Sequence, residues 1–93
     1  MVDDDLNSLR KEIDETDREL ARLIRKRLKI ADRIAEHKAK AGMPVLDLER
    51  EQEVIGRVKA IARLEGIDEV ATESIFREII AQSRKRQLRR QQR

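Results

Sequence analysis

The sequence predicts an all-α protein: a three-helix chain with a very long first helix, assembled as an intertwined homodimeric helical bundle. Three observations carry this. Glycine (3) and proline (1) are scarce and strand-like alternation is absent, which leaves helix as the regular structure. Apolar residues recur at helical spacing from Leu6 to about Ala41, with no breaker before Gly42. That segment is also too long for its own chain to cover. About 36 residues make a helix ~54 Å long, whereas a compact chain of this size has a radius of gyration of only ~12 Å. A second copy must bury the remainder, so an obligate dimer of interlocked helices is expected. A long coiled coil is the alternative, but the stripe is too wide for one and keeps a 3.6-residue period.

In the first helix, Leu6, Leu9, Ile13, Leu20, Ile24, Ala31, Ile34 and Ala35 fall within about 60° of Ile13 when residues are spaced by 100°. Lys11, Arg18, Arg22, Arg25, Lys29, Arg33, Glu36 and Lys40 point away from that stripe. "AGMP" supplies a terminal glycine and a proline stop. A second helix is expected from Asp47, as N-cap, to Glu65, with Gly66 ending it and Val54, Val58, Ile61 and Leu64 as its stripe. A third begins near Asp68 and turns Phe76, Ile79 and Ile80 inward. No repeat or flexible linker interrupts residues 1–93, so a single domain is expected.

Composition narrows the function classes. There is no cysteine, hence no disulfide framework or thiol chemistry. The acidic start MVDDDLN has no apolar core of a signal peptide, and no apolar run approaches a membrane span, so a cytoplasmic protein without membrane attachment is expected. The net charge of +3 would suggest nucleic acid, but it is localised. The last ten residues hold six of the 22 basic groups, so residues 1–83 carry 16 basic against 19 acidic groups. The basicity of residues 84–93 thus reads as a solvated helix end rather than a nucleic-acid surface.

Polar residues on the apolar faces are the anomaly. Arg27 and Lys38 project at roughly −40° and −20° from Ile13, on one line three turns apart. Arg10 and Asp17 border the same stripe. Asp47 and Arg50 lie near the Val54–Ile61 line with Glu51 at its edge, and Ser83 and Gln87 continue the line of Phe76 and Ile80. An unpaired buried charge costs several kcal/mol (about that order), so these groups are either paired or bind something. Internal ion pairs, such as Arg27 with Asp17 or Arg50 with Glu51, are one reading. The cations Arg10, Arg27, Lys38 and Arg50 outnumber the acids Asp17, Asp47 and Glu51, however, which favours a pocket for a small polyanion.

The available chemistry is restricted. His37, the only histidine, projects off the stripe, and Ser83 has no histidine partner in any helical register. No carboxylate cluster has metal-ligand spacing. Arg, Lys, Gln and Ser can bind anions, select a conformation and hydrogen-bond to developing charge.

The fragments "LRKEID…D…L…LI.KR", "IA..KAK.G.PV.D..RE" and "IF..II..S...Q", in that order, resemble the all-helical chorismate mutases over roughly residues 6 to 88. The resemblance implies an intertwined dimer of three-helix chains that rearranges chorismate to prephenate, on the way to phenylalanine and tyrosine, with no cofactor. It implies two sites, each completed by the first helix of the neighbouring chain. Arg27 would clamp one substrate carboxylate and Arg10, from the partner chain, the other. Lys38 and Gln87 would hydrogen-bond to the ether oxygen of the breaking bond. Asp47 and Glu51 would hold the ring hydroxyl region, with Arg50 and Ser83 supporting a carboxylate and the site wall.

The spacing agrees with a shared site. Arg10 is ~25 Å of helix away from Arg27 and about 100° around it, so one ligand cannot easily meet both from one chain. Three other readings compete. An isochorismate pyruvate lyase shares this fold and similar cations, but resembles the chain less around "DLERE". A helical nucleic-acid-binding protein would use the basic C-terminal tail, and a purely structural bundle would use no site. The nucleic-acid reading leaves Arg27 and Lys38 unexplained.

Overall fold

A computed structural model describes residues 2–91, with side chains from residue 4 onward. Three helices follow one another: α1 (Val2–Ala41), α2 (Leu48–Glu65) and α3 (Glu69–Gln91). No strand occurs among the described residues.

Local chemistry sets the helix ends. Gly42 adopts φ 68°, and its N–H and that of Met43 bond to the carbonyls of Ala39 (3.3 Å) and Lys38 (2.8 Å). Gly66 repeats the motif at φ 72°, with Ile67 N–H reaching Ala62 O at 2.9 Å. Asp47 caps α2 by accepting from the Arg50 backbone N–H at 3.0 Å. Asp68 caps α3 by accepting from the Ala71 N–H at 2.7 Å. All four of these helix ends fall where the sequence places them.

The helices do not form a globule. α3 packs against both α1 and α2, which do not pack on each other. The chain measures 61 × 28 × 14 Å with a radius of gyration of 17.2 Å, against ~12 Å for a compact chain of this length. Its core is small: Ala31 and Ala35 of α1, Val45 of the link, Ile55, Val58 and Ala62 of α2, and Ile80 of α3. Every described side chain from residue 4 to 26 is exposed, including Leu6, Leu9, Ile13, Leu20 and Ile24. No described helix is long and apolar enough to cross a membrane.

Two expectations are corrected. In α2, Val58 is buried and Val54 half-buried as foreseen, but Ile61 is exposed and Leu64 is 87% exposed. Val58 lies at a seam: Ile55 and Ala62 sit to one side of it and turn toward α3, while the Val54–Ile61–Leu64 line lies to the other. The basic C-terminal run is not a free solvated end either. α3 continues through it to Gln91, and Arg84, Arg86 and Arg90 pair with acids on α2 and α1. Its last two residues, 92 and 93, lie outside the described residues.

Candidate active site

A cleft of about 260 Å³ opens where the C-terminal half of α1, the start of α2 and the second half of α3 meet. Its apolar lining is Ile30, Ala31, Ile34, Val45, Val54 and Ile80. Its polar lining contains Arg27, Lys38, Asp47, Arg50, Glu51, Ser83 and Gln87. These are seven of the eight residues to which the family resemblance assigns a role. Arg10 is the eighth, and it stands on the exposed arm of α1, away from this cleft.

Each helix delivers its share through periodicity. Arg27 and Lys38 share a line on α1, so both face the space beside α3. On α3, Ile80, Ser83 and Gln87 are all buried on one line with Thr72, and the polar pair begins where the apolar part of that line ends. The turn at "GMPVLD" brings the first turn of α2 back toward Lys38. Lys38 Nζ donates to Val45 O at 3.0 Å, fastening that turn to α1.

Electrostatics make the cleft receptive to anions. Arg27 is half-buried and donates to Ser83 Oγ at 3.2 Å, while Ser83 donates to Ile79 O at 3.1 Å. Burial first, and then the nearby positive charge of Arg50, lower the Arg27 pKa from its ordinary value. A guanidinium so placed remains charged at neutral pH, and an incoming carboxylate would relieve its burial and the repulsion together. The internal pairs expected as an alternative do not form. Asp17 is exposed on the arm, and Arg50 reaches out to Glu53 at 3.2 Å rather than to Glu51.

Arg84 is the lining residue that sequence reasoning missed. It crosses from α3 to pair with Glu51 on α2, and its Nε is buried without a hydrogen-bond partner. The cleft therefore gathers four cations, Arg27, Lys38, Arg50 and Arg84, against two acids, Asp47 and Glu51. The signal was available: a helical projection puts Arg84 about 40° from Ile80, nearer than Ser83 at about 60°. Its membership of a basic run disguised it.

Fold and cleft together define an all-helical protein with an electropositive cleft between its helices. Comparison with known proteins gives the family. The model of the chorismate mutase type II family matches residues 9–88, and the chain belongs to that family. A bifunctional chorismate mutase/prephenate dehydratase of Aquifex aeolicus is 40% identical over 81 residues, which cover 84% of this chain and 22% of that protein. A chorismate mutase of Methanocaldococcus jannaschii is 35% identical over 75 residues, covering 81% of this chain and 76% of that one. The chain thus spans about a fifth of the bifunctional relative and about three quarters of the other. No solved structure matches it.

Proposed function

We propose that the chain is a chorismate mutase, converting chorismate to prephenate in a site shared between two copies. The reaction is an intramolecular Claisen rearrangement: the ether C–O bond breaks, a C–C bond forms, and nothing is added or lost. It calls for neither a cofactor nor a covalent intermediate. The observation that carries this reading is the convergence of Arg27, Lys38, Ser83 and Gln87 from two helices on one cleft within a chain of this family.

Two carboxylates held by arginines select the compact chair-like conformer, which removes much of the entropic part of the barrier. Arg27 takes one carboxylate, with Arg50 and Ser83 beside it. Arg10 of the second copy takes the other. Lys38 and Gln87 donate to the ether oxygen as negative charge grows there. Asp47 and Glu51 face the ring hydroxyl. The dianionic substrate matches a surplus of two cations among the cleft side chains.

The homodimer is part of the proposal. The exposed α1 stripe and the exposed Ile61 and Leu64 of α2 are apolar surface that a single chain leaves in water. A second long helix would cover them and bring Arg10 to the other cleft.

Incubation with chorismate, followed by loss of the diene ultraviolet absorbance and detection of prephenate by NMR, tests the reading. Prephenate formation is the expected result. Chorismate left intact by the folded protein, with pyruvate released from isochorismate instead, would replace the mutase with the lyase.

A further inference from the structure

Arg86 and Arg90, near the basic end of α3, have no part in the proposed chemistry, yet both are firmly tied. Arg86 grips Asp32 at two points, Nε to Oδ1 at 3.0 Å and Nη2 to Oδ2 at 2.6 Å. Arg90 adds Nη2 to Oδ2 at 3.2 Å and reaches Glu36 Oε1 at 2.9 Å. Asp32 itself is buried on the flank of α1. One residue on along α3 and one residue back along α1 lies a second link, in which Gln87 Nε2 donates to Ala31 O at 3.5 Å. Residues 86 and 87 thus face residues 32 and 31, the ion pair directly beside the amide.

The two links differ in what they can enforce. A hydrogen bond of 3.5 Å is at the long end of the range and constrains direction weakly. A bidentate guanidinium–carboxylate pair fixes both separation and rotation. With the Arg86 side chain still 42% exposed, such a pair adds only modest net stability, so its main contribution here is geometric. We infer that the Arg86–Asp32 pair sets the register of α3 on α1 and thereby aims the Gln87 amide into the cleft. Both are positioning residues, acting through Gln87. Arg86 also holds the Asp32 carboxyl below the usual carboxylate range, so the pair stays ionised at neutral pH.

The inference rests on the mutase reading, and its test separates the two. Arg86→Gln and Arg86→Lys are made in the parent and in a Gln87→Ala background, with kcat and KM measured for each. In the parent, Arg86→Gln should lower kcat about tenfold with KM little changed, as expected for a misaimed donor. With Gln87 already removed, the same change should cost at most about twofold, because the two act as one unit. Arg86→Lys keeps the charge but not the fork, so it should preserve the fold while restoring only part of kcat. The side-chain amide resonances of Gln87, followed in labelled protein, should shift in both variants. Equal kcat losses in the two backgrounds, or unmoved amide resonances, would overturn the inference. A parent with no mutase activity would instead sink the proposed function, and the amide resonances would still decide the positioning.

Discussion

The two halves of α1 carry the same apolar stripe and meet opposite fates. From residue 27 onward, α3 covers part of the helix, Ala35 is only 1% exposed, and the cations on the stripe line a cleft. Up to residue 26 the stripe is bare, with Ile13 59% exposed. Composition does not separate the halves; cover does. A helix of 40 residues outruns helices of 18 and 23, so the inner half is covered by its own chain and the outer half is not; in the proposed dimer the second copy would cover it. Arg10 belongs to the outer half and would be idle in an isolated chain.

The largest expected effect falls on the inner half. Lys38→Ala removes a charged donor proposed to act chiefly in the transition state, at a cost of about 3 kcal/mol, or roughly a hundredfold in kcat. The loss of its bond to Val45 O should loosen the α1–α2 turn without unfolding the helices. Near-parental turnover by Lys38→Ala would remove it from the ether-oxygen role.

The outer half is tested by complementation. Arg10→Ala and Arg27→Ala should each be impaired by roughly two orders of magnitude, since every site then lacks one carboxylate clamp. Unfolding the two variants together and refolding the mixture would give mixed dimers in about half of all pairs. Each mixed dimer has one site missing both arginines and one intact, so activity should return to about a quarter of parental. If mixing restores nothing while mass labels confirm exchange, Arg10 does not serve the neighbour's site and the contrast between the halves loses its functional meaning.

What the sequence made legible follows from the range of the interactions involved. Helix ends depend on residues within a turn, so Gly42, Asp47, Gly66 and Asp68 mark them directly. Arg27, Lys38, Ser83 and Gln87 were legible because each sits on an apolar line of its own helix. Asp32 was not, since it projects about 100° from Ile13 and is buried only because α3 lies on that flank. The turned face of α2 was hidden for the same reason: Ile55 and Ala62 are apolar too, and only the position of α3 chooses them over Ile61. Periodicity shows which faces can be buried; the partner decides which of them are.

A smaller effect concerns how the inner half is fastened. Arg86 lowers the folded-state pKa of Asp32 from its ordinary 3.8. A depressed carboxylate contributes stability that is present above its unfolded pKa and is lost as pH falls through the folded one. Asp32→Asn should therefore melt a few degrees below the parent at neutral pH, and the gap should begin to narrow near pH 4 and close only in stronger acid, below the depressed folded-state pKa. A gap of the same size in strong acid would mean that the change acts through packing rather than charge.

The smallest effect probes the far side of α2. Gly56 sits in the middle of that helix, about 160° from Val58, with no positive φ to demand glycine. A methyl group there would meet nothing within 4 Å in the single chain. Alanine removes backbone freedom from the unfolded state, so Gly56→Ala should add about 0.5–1 kcal/mol and raise the melting temperature by a few degrees, leaving turnover unaltered. That expectation holds only if the second copy covers the Ile61–Leu64 side of α2 and leaves the Gly56 side in water. A destabilised Gly56→Ala dimer would place the neighbouring backbone against Gly56. The region left to another chain would then extend from the outer half of α1 to the back of α2.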